Sequence, residues 1–286
     1  MELAGALFWF WTKRGLFEEG RAWLERAAAL DTAPRTRARA LLGLAHMHYF
    51  QGRQIGAAES AAAALSLGRE CGDPWVASFA LFLQALAAFE LGDYQQALAR
   101  AIEAREAADD SGDQIQHGGP LMIVANVALF EGDHDRAQQL YDESIEVHRR
   151  AGDKWGLSIL LSIAAGLRIV RNDFAQARAQ AAEAISLCEE LDDPRGVAWS
   201  LEVCAGLLAA KGDVDGAVRA WGASDGLLEG VGGKLVPTIG WIRERYIEPA
   251  RRSIGDARFA AVAAEGCAMP MGQAIAFARE KALLAP

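Results

Sequence analysis

The sequence predicts an all-α protein, about six helix pairs stacked into a right-handed superhelix and closed by C-terminal capping helices. Three observations predict it. A Gly-Asp corner recurs at a stride of 40 residues. A second corner with the same stride lies midway between successive copies of the first. Alanine or serine keeps a constant phase between the corners. Self-similarity at such a period is the signature of a repeat array, and two turn signals per period mean two helices per repeat.

The first set of corners is Gly92-Asp93, Gly132-Asp133, Asn172-Asp173 and Gly212-Asp213, with Gly52 40 residues before Gly92 and Gly15 37 before Gly52. The second set is Gly72-Asp73, Gly112-Asp113, Gly152-Asp153 and Asp192-Asp193. Each corner has a mechanism. A helix ends most easily on a residue in the left-handed conformation, which glycine tolerates and asparagine accepts next best. The aspartate that follows can cap the next helix, its carboxylate meeting backbone N–H groups at the positive helix end. Pro74 and Pro194 stand at the first helical position, where a missing N–H costs nothing. Repeats are therefore expected near 1–37, 38–77, 78–117, 118–157, 158–197 and 198–230. In 231–286, Pro249 is expected to break a helix, and Gly255-Asp256 and Pro270 mark further boundaries, giving three short helices between ~240 and ~284.

Seven residues before each first-set corner stand Ala45, Ala85, Ala125, Ala165 and Ala205. Five after it stand Ala57, Ala97, Ala137, Ala177 and Ala217, and twelve after it Ala64, Ala104, Ser144, Ala184 and Ser224. Helices approach to ~8–10 Å only where side chains are small, so these positions are read as helix-packing faces. Nine after the corner the residue varies: Ala61, Ala101, Tyr141, Ala181 and Trp221.

Composition narrows the functions. A chain that is 52% hydrophobic and 23% charged folds rather than staying disordered. No apolar run reaches the ~18–20 residues of a membrane span; "GALFWFW" at 5–11 stops at Thr12, Lys13 and Arg14, without the features of a secretory leader. A net charge of -9 argues against direct nucleic-acid binding, which needs clustered Lys and Arg. Cys71, Cys188, Cys204 and Cys267 lack CxxC spacing and are expected as free, mostly buried thiols of a cytoplasmic protein. His46 and His48 point to different sides of a helix, so no metal site is expected, and no cofactor. Carboxylates fall mostly at corners or on outer faces, and no Ser/His/Asp or Cys/His set emerges. No catalytic residue is expected.

The set of small residue, corner Gly, Asp-aromatic (Asp93-Tyr94, Asp173-Phe174) and later Ala resembles the tetratricopeptide repeat (TPR) in a long, 40-residue form, over roughly residues 1–230. Two longer segments carry a narrower resemblance. "ELAGALFWFWTKRGLFEEGRAWLERAAAL" (2–30) looks like the opening of the TPR region of MalT-like bacterial signal-transduction ATPases, many of which carry a LuxR-type DNA-binding domain. The stretch 220–278 looks like the end of that region. In such regulators the repeat region is a sensor and scaffold, so the resemblance implies that role, in an excised region or a stand-alone relative. It does not bring ATPase activity: GxxxxGK[ST] is absent, and "EGVGGKL" at 229–235 is read as a loop.

In a TPR array the concave wall comes from the first helix of each pair, at thirteen, ten, six, three and two residues before the corner. Trp9 is the matching residue in repeat one. Repeat two places His46, Tyr49 and Phe50 there, and repeat three Phe79, Phe82, Leu86 and Phe89. Repeat four places Met122, Asn126, Leu129 and Phe130, repeat five Ile159, Ser162, Ile169 and Val170, and repeat six Trp199 and Glu202. Packing between helices is the commoner role for any one such aromatic. As a wall they are apolar, with only Arg39 and Lys13 as cations, which argues against an acidic peptide tail as ligand, since carboxylates are held by charge-assisted bonds. The expected function is a non-enzymatic interaction scaffold for a protein partner. The competing reading is a receptor for an apolar or aromatic small molecule in the same groove.

Overall fold

A computed structural model describes residues 2–30 and 32–284. The chain divides into two compact units, Met1–Asp153 and Lys154–Pro286. The first holds α1 (Glu2–Arg14), α2 (Phe17–Ala28), α3 (Pro34–Phe50), α4 (Gln54–Glu70), α5 (Pro74–Glu90), α6 (Tyr94–Ser111), a 3-10 turn (Gln114–His117), α7 (Gly118–Phe130) and α8 (His134–Ala151). The second holds α9 (Lys154–Val170), α10 (Phe174–Leu191), α11 (Pro194–Lys211), α12 (Val214–Gly230), α13 (Pro237–Ile254), α14 (Asp256–Cys267), α15 (Met271–Ala278) and a π turn (Arg279–Leu283). No strand occurs among the described residues, and no helix among them is long and apolar enough to cross a membrane. Within each unit consecutive helices pack as antiparallel hairpins, and the first helix of one hairpin also touches the first helix of the next, as α1, α3, α5 and α7 do.

The corners work as their chemistry requires. Gly15, Gly52, Gly72, Gly92, Gly112, Gly132, Gly152 and Gly212 all have positive φ, and so do Asn172 (62°) and Asp192 (52°) where glycine is missing. At the corner after α5 the Gly92 N–H bonds to Phe89 O (2.9 Å) and the Asp93 N–H to Ala88 O (2.9 Å), which satisfies two orphan carbonyls of the ending helix. The Asp93 carboxylate then accepts from Gln96 N at 2.9 Å and opens α6. One dipeptide thus closes one helix and starts the next, and Asp133, Asp173, Asp193 and Asp213 cap in the same way. At Gly132 (φ 85°) nothing lies within 4 Å of an added Cβ. Gly132→Ala is therefore expected to cost only the left-handed backbone penalty, about 1–2 kcal/mol, read as a lower urea midpoint at unchanged slope.

Every one of the fifteen small residues placed by phase, from Ala45 to Ser224, is 0% exposed. The varying position nine past the corner is buried too, and it is where a large residue enters: Tyr141 is fully buried and donates to Asn126 Oδ1 at 2.8 Å.

Two expectations are corrected. Pro249 does not break a helix; it lies inside α13. Proline removes one N–H and crowds the preceding turn, but Tyr246, Ile247, Ala250 and Ile254 on either side pack into the apolar core of the second unit, and that burial holds the helix together across the defect. The thiols are not mostly buried either. Cys188 and Cys204 are buried, whereas Cys71 and Cys267 are exposed, Cys71 at the C-cap of α4 and Cys267 at the last turn of α14; all four are free.

The packing of α14 on α12 is closer than side chains permit. An added Cβ on Gly222 would stand 2.1 Å from Ala263 O, one on Gly226 2.3 Å from Cys267 O, and one on Gly266 2.0 Å from Arg219 O. The two backbones touch through glycine.

Candidate functional site

The first helices of the first unit bring an aromatic cluster together. Trp9 and Phe8 on α1 meet His46 on α3 at ring-centroid distances of 5.3 and 5.7 Å, and Trp9 stacks on Phe79 of α5 at 5.9 Å. His46 also meets Phe50 edge-on at 4.8 Å, and Phe79 continues to Phe82 at 6.2 Å. Further along, Phe89 of α5 meets Phe130 of α7 edge-on at 5.2 Å. Such offset and edge-on pairs add to simple burial. The Thr12 hydroxyl lies 2.8 Å from Phe8 O and 3.0 Å from His46 Nδ1, and so ties α1 to the imidazole on α3.

Burial sorts the candidates. His46, Tyr49, Phe50, Phe79, Phe89, Met122 and Asn126 form the floor of this face, each buried. Trp9 and Phe82 are half-buried, and Phe130 is 39% exposed. Trp9 and Phe82 carry the cluster to the surface, and Phe130 brings its own pair with Phe89 there. Phe82 lies across Gly119, where a Cβ would come within 2.8 Å of its ring. Asn126 is occupied by Tyr141. Of the two cations, Arg39 sits 5.8 Å over the Trp75 ring.

One residue of this face escaped the sequence reading. Glu90 stands two positions before the Gly92 corner, the register that selected Phe50, Phe130 and Val170. Burial pushes its carboxyl up to about 7, opposed by the Tyr49 hydroxyl, which donates to Glu90 Oε1 at 3.2 Å. The signal was available, but an acidic residue was passed over in an otherwise apolar pattern.

The second unit differs. Ile159 is half-buried, whereas Ser162, Ile169, Trp199 and Glu202 are all buried. Ser162 shares a 3.1 Å hydrogen bond with Ser200. Trp199 stacks against the buried Arg195, whose guanidinium lies 4.7 Å from the ring and 5.2 Å from that of Trp155 and bonds Asp193 at 3.1 Å. Glu202, 0% exposed, receives two bonds from Arg243 of α13, one of them Nε to Oε2 at 2.9 Å, and Arg243 also pairs with Asp225 at 2.8 Å. Ile242 of α13 packs with Ile169, Val203 and Leu207. This face carries the chain's own helix.

No family model matches the chain, and no curated protein matches it. Solved structures do. A Rap protein complexed with Competence and Sporulation Factor superposes with a TM-score of 0.64 at 13% identity, covering 96% of this chain and 75% of that one. Aspartyl phosphate phosphatase F from Bacillus subtilis gives 0.63 at 14% identity, covering 95% and 73%. The apo form of RapI gives 0.52 at 14%, covering 86% and 98%. The fold is a TPR-like helical repeat. At these identities the likeness is one of fold, and the chemistry of the site rests on this chain's own residues.

Proposed function

We propose that this chain is a non-enzymatic interaction module that holds an apolar or aromatic-rich segment of a protein partner on the inner face of its first unit. The observation that carries this reading is the aromatic cluster spanning α1, α3 and α5, with Trp9 and Phe82 reaching the surface from a buried floor and Phe130 of α7 further along. A preformed, rigid aromatic platform is what a hot-spot anchor needs. The Rap structure bound to its factor supports it as a fold capable of such work. The finer reading is a sensor and scaffold region of a cytoplasmic bacterial transcription regulator of the signal-ATPase kind, or a free-standing relative. It rests on the segments 2–30 and 220–278, with 1–230 as the repeat array and 231–286 as its cap. The second reading, a receptor for an apolar small molecule, rests on the same aromatic face.

The test uses the full chain and a panel of labelled synthetic peptides, half amphipathic with Trp or Phe anchors and half acidic-tailed. Aromatic peptides are expected to bind and acidic ones not. Phe82→Ala is expected to weaken binding at least tenfold in a variant that stays folded by circular dichroism, with the packing lost against Gly119 read separately as a lower Tm. Tight binding of acidic peptides, abolished by Arg39→Ala, would sink the proposal. A metabolite that raises Tm at micromolar levels while every peptide fails would favour the receptor.

A further inference from the structure

The second unit holds an arrangement that the reading of the first does not use. Glu202 is a fully buried carboxylate on α11, and its partner guanidinium comes from α13, 41 residues on. On one side α12 adds polar groups, since Arg243 also pairs with Asp225 at 2.8 Å and donates to Trp221 O at 3.4 Å; the rest of the seat is apolar. Gly206 leaves room for Ile242, which would meet an added Cβ at 3.1 Å, and Gly166 leaves room for Trp241, which would meet one at 3.7 Å. Ile169, Val203 and Leu207 complete the floor. α13 therefore presents a three-residue signature, Trp241-Ile242-Arg243, to a seat whose carboxylate asks for a cation and whose glycines ask for bulky neighbours.

The helix in that seat lacks two local supports and is held by its buried face. Its N-cap, Val236, makes no side-chain capping bond, and Pro249 interrupts its hydrogen-bond ladder. It is joined at one end by the loop 231–236, where Gly232 has φ 61°, and at the other by Gly255 with φ 78°. The next helix is anchored independently, because α14 meets α12 backbone to backbone through Gly222, Gly226 and Gly266. α13 is thus joined to its neighbours through two positive-φ glycines and buries Ile239, Ile242 and Ala250 between them, while α14 has its own backbone contact with α12.

We propose that the inner face of α9 and α11 is a docking site for an amphipathic helix of a partner protein bearing arginine beside a bulky apolar pair, and that α13 is its resident occupant, displaced when the partner helix binds. Charge complementarity selects the occupant: a buried carboxylate left without a cation is strongly unfavourable, so the seat rejects helices with a neutral or acidic residue there. A tethered occupant competes at high effective concentration, so the site is quiet until α13 is weakened or outcompeted.

The test uses the full chain and, as probe, a fluorescein-labelled synthetic peptide of residues 236–254. Against the wild-type chain it is expected to bind weakly. Against Arg243→Ala, which loosens the tethered helix and leaves Glu202 seeking a cation, it is expected to bind at least tenfold tighter. The gain should vanish in Glu202→Gln/Arg243→Ala and with a peptide carrying Glu in place of the arginine. Trp241→Ala, at a half-buried position, serves as a second loosening variant should Arg243→Ala fail to fold, with helicity by circular dichroism as the check. The proposal is overturned if the folded loosened variants bind the probe no better than wild type. It is equally overturned if they pair into dimers with rising concentration, which would make the occupant a second copy of the chain.

Discussion

Gly266→Ala is expected to cost about 3 kcal/mol or more, at the upper end of overpacking, and to lower the Tm of the second unit by roughly 10 °C. The added methyl would sit 2.0 Å from Arg219 O and 2.9 Å from Ala223 N. Both are backbone atoms held in α12, so no rotamer change relieves the contact and the two helices must separate. Separation would open the cluster in which Val218, Trp221 and Val262 are buried. Gly230→Ala is the control: nothing lies within 4 Å of its added Cβ, so that change is expected to be neutral or mildly stabilising through reduced freedom of the unfolded chain. Thermal scans of both variants check it. Equal melting temperatures would show that the α12–α14 crossing is not as close as described.

Glu90→Gln is expected to stabilise the protein at pH 8 by on the order of 2 kcal/mol and to do nothing at pH 4. In the folded chain burial keeps the carboxyl protonated up to about pH 7, whereas its ordinary value is 4.5. Between those values the folded state binds more protons than the unfolded one, so the contribution of Glu90 is fully present below about 4.5 and is lost as pH rises through 7. Glutamine stays neutral throughout and can still accept from the Tyr49 hydroxyl, which now donates to Glu90 Oε1 at 3.2 Å. Urea titrations of both proteins at pH 4, 6 and 8 check it. Parallel stability profiles would mean that the carboxyl is ionised at neutral pH and better hydrated than its burial implies.

Much of the architecture was legible because it is written in local chemistry. Asn172 could be matched to glycine because the left-handed corner tolerates few side chains, and it has φ 62°. Ala97 could be placed in a packing face because its phase recurs, and it is 0% exposed. The aromatic register likewise led to Trp9, His46 and Phe79, which meet as one cluster. Other features left no such trace. Asn126 looked like a groove residue, but its partner Tyr141 comes from the following helix, at a position where most repeats have alanine. Pro249 looked like a break because proline is judged by its own N–H, while its fate in α13 was settled by the neighbours it helps to bury.

From the amino-acid order alone came the all-α class, the 40-residue stride, the corners and the small-residue faces, since each depends on interactions within a few residues along the chain. Tertiary structure alone decided that Glu202 belongs to Arg243, that α13 packs against α9 and α11, and that α14 meets α12 through bare backbone. Those pairings join residues about 35 or more positions apart, where no local periodicity carries the information. They are set by which surfaces remain to be buried once the repeats have stacked.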